Sequence, residues 1–235
     1  MGSQCSRCAH CAQTEWGLLD ERQLARLDAG RRVRKFLPGE VLFHEGDEQT
    51  GIYCVLEGLV GLRKVDSGGE SALLRLIGPG GTFGFRSLLA DEPHGVSAEV
   101  MKGTRVCHVL PGPARRVVAE DHGLVMRFFR HLARDMAASD TRVLETVTAS
   151  CRVRFLRLIL NCGTPVTGVS GDARMSLDLP LSRQDFASMI GIRPESMSRL
   201  IRNIEGEGLA RFSGRRVEIL DLARMASESE SQTIN

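Results

Sequence analysis

Residues 181–220 read LSRQDFASMIGIRPESMSRLIRNIEGEGLARFSGRRVEIL, and this stretch decides the fold of the C-terminal part of the chain. Ser182 followed three residues later by Asp185 is typical of a capping box, which begins a helix. Gly191 permits the backbone bend that ends this helix, and Pro194 suits the first turn of a second one. The stretch therefore predicts a helix-turn-helix.

The second predicted helix divides into two faces. Its apolar side chains recur at helical spacing and predict a packed face: Met197, Leu200, Ile201 and Ile204. The opposite face carries side chains that can hydrogen-bond to base edges in a major groove: Glu195, Ser198, Arg199 and Arg202. Glu195 and Arg199 could equally form an ordinary surface pair, worth about 0.2–0.5 kcal/mol.

The segment after this helix, LARFSGRRVEIL, predicts a β-hairpin with Ser213 and Gly214 at its tip. Arg211, Arg215 and Arg216 surround that tip and form a basic wing. Residues 182–216 contain seven arginines against four acidic residues, a local charge of +3, whereas the whole chain carries only +2. This local excess can neutralise phosphates, so we expect double-stranded DNA as a partner and salt-dependent binding.

The region from Phe36 to about Pro111 is interrupted by glycine every eight to twelve residues, with runs rich in Val, Leu and Ile between. Segments such as EVLFHEGD and GIYCVLEG predict short antiparallel strands joined by tight turns. The pattern indicates an all-β jelly roll.

From Pro113 to Asn161 the spacing of apolar residues becomes helical. Alternating steps of three and four predict a coiled-coil seam at Phe129, Leu132, Met136, Ser139, Val143 and Thr146. A helix of about 30 residues would be about 45 Å long, too long for one small domain to cover, so we expect a homodimer. The alternative is that Phe128, Phe129 and Leu132 pack on their own β-domain. Both can hold, because a second stripe faces inward: Val125, Phe128, Leu132 and Asp135.

The composition limits the class of protein. A chain of 235 residues with 42% hydrophobic content can hold two domains, and no apolar run approaches the ~20 residues of a membrane span. We therefore expect a soluble cytoplasmic protein without a membrane partner.

The sequence does not indicate an enzyme, because it contains no nucleophile–base pairing and no phosphate loop. The seven cysteines favour metal binding or redox chemistry over a disulfide framework.

These patterns predict an α+β protein with an N-terminal β-jelly-roll sensor domain, a long dimerisation helix and a C-terminal winged helix-turn-helix. The expected boundaries are 1–20 for a cysteine-rich segment, 21–112 for the β-jelly roll, 113–150 for the dimerisation helix region and 151–235 for the winged helix-turn-helix. This arrangement, with RPESMSRLIRNIEGEGL on the second helix, resembles the CRP/FNR family of bacterial transcription regulators.

The E-x-x-S-R pattern is similar to that of FNR-type members, which read a TTGAT-like half-site. The resemblance implies base reading by Glu195, Ser198 and Arg199 and an inverted repeat bound by a dimer, with RNA polymerase as a further partner. It implies contacts to the DNA backbone from Ser182, Arg183, Arg202, Arg215 and Arg216.

Three cysteines open the chain at equal spacing: Cys5, Cys8 and Cys11. C-x2-C-x2-C is the spacing by which ferredoxin-like chains give three thiolates to one iron–sulfur cube, with the fourth from a distant cysteine. The resemblance implies Cys107 as that fourth ligand of an oxygen-sensing or redox-sensing 4Fe-4S cluster, although the spacing here is tighter than in the best-known FNR protein. We interpret the remaining cysteines as small buried apolar residues: Cys54, Cys151 and Cys162.

Three other ligands are conceivable for the sensor half. Cyclic nucleotide binders carry a glutamate and an arginine where this chain has Phe85, and Gly95 with Val96, so cyclic AMP is not expected. A structural zinc site usually needs two separated C-x2-C pairs. Haem would use His44, His94 or His108, although a lone strand histidine is more often satisfied within the protein. The alternative function is therefore a CRP/FNR-type regulator that responds to haem-bound gas or a small effector, with zinc or no metal at the N-terminal cysteines.

Overall fold

The computed structural model describes residues 8–171 and 174–230. The chain forms two compact units, Met1–Ala137 and Ala138–Asn235. In the described part of the chain, no helix is long and apolar enough to cross a membrane.

The N-terminal unit is an antiparallel β-structure flanked by helices. Two short 3-10 turns, Cys11–Gln13 and Glu15–Leu18, precede the first helix. The elements are α1 (Glu21–Ala29), β1 (Arg31–Phe36), β2 (Val41–Phe43), β3 (Ile52–Val65), β4 (Ser71–Ile77), β5 (Thr82–Phe83), α2 (Phe85–Ala90), β6 (Ser97–Val109), α3 (Pro111–Glu120) and the start of α4 (His122–Thr148). The main sheet has the order β1-β6-β3-β4, with β2 paired to β6 and β5 paired to β3.

Two apolar clusters hold this unit together. One lies within the sheet and includes Phe43, Val55 and Val106. The other joins the N-terminal segment and α4 to the sheet, and its members include Trp16 and Phe128. Because these rings come from opposite ends of the unit, their burial fixes the N-terminal segment against α4.

The long helix is confirmed, and α4 contains 27 residues. It starts later than Pro113 because α3 ends at Glu120 and a new helix begins after Asp121. The Asp121 carboxylate accepts a hydrogen bond of 2.8 Å from the Leu124 amide, which caps the first turn of α4.

The C-terminal unit contains the predicted helix-turn-helix and two hairpins. Its four-stranded sheet has the order β7-β8-β10-β9. The elements are the remainder of α4, α5 (Cys151–Cys162), β7 (Thr164–Gly171), β8 (Arg174–Asp178), α6 (Arg183–Ile190), α7 (Pro194–Gly206), β9 (Ala210–Ser213), β10 (Arg216–Ile219) and α8 (Leu222–Glu230). The fold is therefore mixed α and β, as the sequence predicts.

The turn between α6 and α7 follows the predicted local chemistry. The Ser182 hydroxyl accepts from the Asp185 amide at 3.1 Å, and the Asp185 carboxylate accepts from the Ser182 amide at 2.9 Å, so the capping box is complete. Gly191 then adopts φ +70°, which a residue with a Cβ rarely does. Pro194 is the first residue of α7. These three local signals set the direction in which α7 leaves the turn.

Candidate thiol site and nucleic-acid-binding surface

Four cysteines of the N-terminal unit lie close together, and we call Cys8, Cys11, Cys54 and Cys107 the thiol cluster. Cys54 on β3 is directly opposite Cys107 on β6 in the antiparallel ladder. Both side chains are buried, and Cys8 packs against the small cluster that they form with Leu56. Cys5 lies outside the described residues. The fold thus brings two of the three N-terminal cysteines to the predicted distant ligand Cys107.

The thiols of this cluster influence one another electrostatically. Burial raises the pKa of the Cys11 thiol, and Cys8, Asp28 and Cys107 add to the rise. Burial also raises the pKa of the Cys54 thiol strongly, with Cys107 and Cys8 as further causes. Without a metal, Cys11 and Cys54 therefore favour the protonated thiol, because each thiolate would be poorly solvated and close to other thiols.

The donor set agrees in kind with an iron–sulfur ligand set, since thiolates are the soft ligands that such clusters take. Among the described residues, however, no three Cys, His, Asp or Glu side chains are arranged so that they could hold one metal ion. The cysteines therefore fit the group by type and proximity. They would have to close around it on binding.

The two cysteines of α5 differ from the interpretation of the sequence. Cys151 is exposed, so its interpretation as a small buried apolar side chain is wrong. It is the first residue of α5, directly after the Ser150 N-cap, where the helix starts from the surface. Cys162 is half-buried at the other end of this helix, and burial raises its pKa to about 11.

The N-terminal segment is attached to α4 by polar contacts close to the thiol cluster. The His131 Nδ1 atom lies 2.6 Å from a carboxylate oxygen of Glu15. Arg127 donates a hydrogen bond of 2.8 Å to the Thr14 carbonyl. These residues were missed in the sequence, where nothing in their local pattern marks them. They connect a segment that starts at Cys8 to the helix expected to form the dimer.

A half-buried ion pair extends this connection to the sheet. The carboxylate of Asp135, on the next turn of α4, lies 3.6 Å from His131 Nε2 and is paired with Arg75 of β4. The His131 hydrogen bond holds the pKa of the Glu15 carboxyl below its usual value, although burial alone would raise it. Glu15 is therefore ionised at neutral pH and retains its contact to α4.

Six large apolar side chains of α4 are exposed. Phe129, Met136 and Val143 of the predicted seam are 59%, 67% and 68% exposed. Leu132 is half-buried and packs against the core of its own unit, and Ser139 and Thr146 are exposed. Large apolar side chains that the predicted seam omits are also exposed: Met126, Leu144 and Val147. Several large apolar side chains exposed on one helix are typical of an interaction site.

The predicted DNA-reading face lies on the outside of α7. Met197, Leu200, Ile201 and Ile204 are buried, as predicted for the packed face. On the opposite face Glu195 and Arg199 are exposed and Ser198 is half-buried, with its hydroxyl donating to the Pro194 carbonyl at 3.1 Å. The side chains that the sequence assigns to base reading thus project from one side of a helix held by its other side.

The predicted backbone contacts surround this helix. Ser182 and Arg183 lie at the start of α6, and Arg202 lies on α7, where its Nε donates to the Ser198 carbonyl at 3.4 Å. Arg215 and Arg216 lie at the turn of the β9–β10 hairpin, which is confirmed, with Gly214 at φ +59°. All five side chains are exposed. The C-terminal unit thus presents one helix and one basic hairpin to solvent.

A cavity of about 880 Å³ lies in the N-terminal unit beside α2. Its wall contains Phe85, Gly95 and Val96, the residues that replace the charged groups of a cyclic nucleotide site. His94 is buried, and its Nε2 lies 3.0 Å from the Thr50 hydroxyl. His108 Nε2 lies 2.7 Å from the Thr50 carbonyl. The Nε2 atom of each histidine thus has a hydrogen-bond partner within the protein.

Two family models match this chain. The cyclic nucleotide-binding domain matches residues 33–121, which span the sheet and α3. The Crp-like helix-turn-helix domain matches residues 153–228, which include α6, α7 and the basic hairpin. The chain belongs to the CRP/FNR family of transcription regulators. This CRP/FNR regulator is therefore a DNA-binding protein, with α7 in the position of the recognition helix.

Known members of the family cover almost the whole chain. The nitrogen fixation regulation protein FixK of Bradyrhizobium diazoefficiens is 28% identical over 225 residues, which are 95% of this chain and 93% of that protein. The transcriptional activator protein FnrA of Stutzerimonas stutzeri is 28% identical over 200 residues, or 83% and 79% of the two chains. These relatives are transcription regulators and not enzymes.

A solved structure agrees with the fold of this CRP/FNR regulator. A CRP/FNR family regulator from Thermus thermophilus superposes with a TM-score of 0.70 at 24% identity, covering 86% of this chain and 100% of the other. The predicted fold, with an N-terminal β-rich domain, a long helix and a C-terminal helix-turn-helix, is therefore confirmed.

Proposed function

We propose that this regulator senses oxygen or redox state through a 4Fe-4S cluster bound by Cys5, Cys8, Cys11 and Cys107. The observation that carries the proposal is the packing of Cys8 against the buried cluster that contains Cys107, together with the electrostatic influence of both cysteines on Cys11. Cys8 and Cys11 are about a hundred positions from Cys107 in the chain, yet they lie near it in the fold. When bound, such a cluster supplies a redox-sensitive link between these thiolates.

The chain itself supports a route from the thiols to α4. Thr14 and Glu15 follow directly after the 3-10 turn that starts at Cys11, and they contact Arg127 and His131 of α4. Thiolates that hold the segment in place would keep these contacts formed. Release of the thiols would weaken the contacts and allow the first half of α4 to shift. The sensor state would thus reach the exposed apolar surface of the same helix.

We further propose that α4 forms the homodimer. Phe129, Met136 and Val143 would be covered by a second copy, whereas Ser139 and Thr146 would make the seam weaker than an all-apolar one. A marginal interface suits regulation, because a change of a few kcal/mol in its free energy is enough to change the population of the dimer. Two copies of α7 would then read an inverted TTGAT-like repeat through Glu195, Ser198 and Arg199, and the bound dimer would contact RNA polymerase.

Anaerobic purification tests the sensor assignment. Wild-type protein is expected to contain iron and sulfide in equal amounts and to absorb visible light. The Cys107→Ser variant is expected to contain neither iron nor sulfide and to lose this absorption. Cys151→Ser is a matched control, because this thiol is exposed on α5, outside the thiol cluster. Wild-type protein without iron would overturn the proposal, and an unchanged spectrum in Cys107→Ser would remove this residue as a ligand.

The cavity supports a second candidate, regulation by a small effector. Its volume of about 880 Å³ is within the range of ligand pockets, and Phe129 and Leu132 of α4 belong to its wall. An effector there would contact α4 directly, with zinc or no metal at the N-terminal cysteines. This candidate predicts that the iron-free protein binds its operator equally well with and without air. It also predicts that a cell extract of small molecules changes this binding.

A further inference from the structure

We propose that Cys54 and Cys107 form a redox-active dithiol, which hydrogen peroxide closes to a disulfide when the thiol cluster holds no metal. The interpretation of Cys54 as only a small apolar residue overlooks its position opposite Cys107 on the neighbouring strand. The disulfide does not depend on the proposed cluster. Its consequence for cluster binding does rest on the proposed function.

The register of β3 and β6 places the two side chains on the same face of the sheet. Ile52, Tyr53, Cys54 and Val55 pair in unbroken succession with Val109, His108, Cys107 and Val106. Directly opposed residues in an antiparallel pair have Cβ atoms about 4.5–5.5 Å apart, and a disulfide requires about 3.5–4.5 Å. An approach of about 1 Å therefore brings the sulfurs into bonding range without a change of fold.

The contacts of the pair allow this bond to close, although the burial that raises the pKa of the Cys54 thiol makes its thiolate rare and the first oxidation slow. Cys54 makes a weak hydrogen bond of 3.7 Å to the Val55 carbonyl, which the closing sulfur can give up at low cost. The N-terminal segment covers the pair through Cys8. Local opening of this segment, which thiolate–metal bonds would oppose, would give a small oxidant such as hydrogen peroxide access to the pair.

The α5 cysteines provide an internal comparison. Cys151 and Cys162 are the first and last residues of a helix of 12 residues. At 1.5 Å per residue their Cα atoms are separated by about 16 Å, far beyond the disulfide range of about 4.4–6.8 Å. These two cysteines therefore cannot bond to each other while α5 is folded.

The reaction proceeds in two steps. Hydrogen peroxide oxidises one thiol to a sulfenic acid, with release of one water molecule. The second thiol attacks this sulfur, the S–S bond forms, the S–O bond breaks, and a second water molecule leaves. Two thiols and one peroxide thus give one disulfide and two water molecules, with two electrons passing from sulfur to the peroxide.

Closure would remove Cys107 from the proposed ligand set. A regulator that had met peroxide would then be unable to take up a new cluster until a thiol reductant reopened the bond. The disulfide between β3 and β6 would therefore persist after the oxidant had gone.

The first experiment uses the full chain with Cys5→Ser, Cys8→Ser and Cys11→Ser, freed of iron. Four of the seven cysteines remain. After treatment with hydrogen peroxide, alkylation and mass spectrometry are expected to show two reactive thiols, the loss of two hydrogen atoms and a Cys54–Cys107 crosslinked peptide. Dithiothreitol should restore all four thiols. Four reactive thiols after oxidation, or a crosslink between another pair, would overturn the proposal.

The second experiment follows cluster uptake in the otherwise unchanged chain. Iron-free wild type and Cys54→Ser are oxidised with peroxide, freed of oxidant and supplied with iron and sulfide. Wild type is expected to bind iron only after addition of dithiothreitol, whereas Cys54→Ser binds it without. Equal reductant dependence in both proteins contradicts the role of Cys54. If unoxidised wild type did not bind iron, the result would contradict the proposed function and not the disulfide. The mass spectrometry of the first experiment then tests the disulfide by itself.

Discussion

Single arginines on the C-terminal unit are expected to contribute to DNA binding in two different ways. Arg199 projects from α7 and can form two hydrogen bonds to one guanine, so Arg199→Ala should reduce discrimination at one base pair by about 1–3 kcal/mol. Arg215 lies exposed at the turn of the hairpin, where we expect it to contact phosphates. Arg215→Ala should weaken binding to all sequences alike and reduce the salt slope by about one. Binding titrations against single-base operator variants at several salt concentrations separate these effects.

The control for both variants is Arg22→Ala, which removes an equal charge from an exposed position on α1 of the N-terminal unit. It should leave affinity and specificity unchanged. If Arg199→Ala weakened all operators equally, α7 would contact the backbone and not the bases.

Glu15 makes the stability of the N-terminal unit depend on pH. The His131 hydrogen bond holds its folded pKa below the ordinary value of 4.5, so its contribution is complete above about pH 4.5 and is lost as the pH falls through the folded pKa. Glu15→Gln should therefore lose less unfolding free energy than wild type between about pH 6 and about pH 3. Trp16 is the single tryptophan of the chain and is buried against Phe128, so its fluorescence reports unfolding of this unit.

Glu48→Gln is the matched control for this pH dependence, because Glu48 is exposed. Its stability should follow that of wild type across the range. If the unfolding free energies of wild type and Glu15→Gln changed equally with pH, the contact to His131 would contribute nothing to stability in solution.

At the scale of the element, α4 offers a test of the dimer. Met136 is 67% exposed in the middle of the apolar surface, and a carboxylate there would have to be buried without a partner on association. Met136→Glu should weaken association by about a hundredfold or more, measured by sedimentation velocity. Ala138→Glu introduces the same charge about 200° around the helix and should stay dimeric. A dimeric Met136→Glu protein would place the interface elsewhere.

The elements differ in how far the sequence predicts them. The turn between α6 and α7 depends on Ser182, Asp185, Gly191 and Pro194, which act within a few residues of one another, and its local chemistry is visible in the sequence. The contact of Glu15 with His131 spans 116 positions and leaves no local pattern. The pairing of Cys54 with Cys107 depends on the register of two distant strands. Sequence patterns therefore indicate the DNA-reading helix well, but they show only part of the thiol cluster.

At the scale of the whole molecule, the affinity for DNA should depend on the joint action of two copies of α7. Two half-sites about 34–36 Å apart would be engaged at once, which typically tightens binding by about 10²–10⁴ over one half-site. Met136→Glu should remove this advantage on an inverted repeat and leave the affinity for an isolated half-site unchanged, since α7 is not altered. Titration of both DNAs with wild type and variant measures the ratio directly. An equal loss on both DNAs would contradict the model, because it would mean that the substitution damages the reading surface itself.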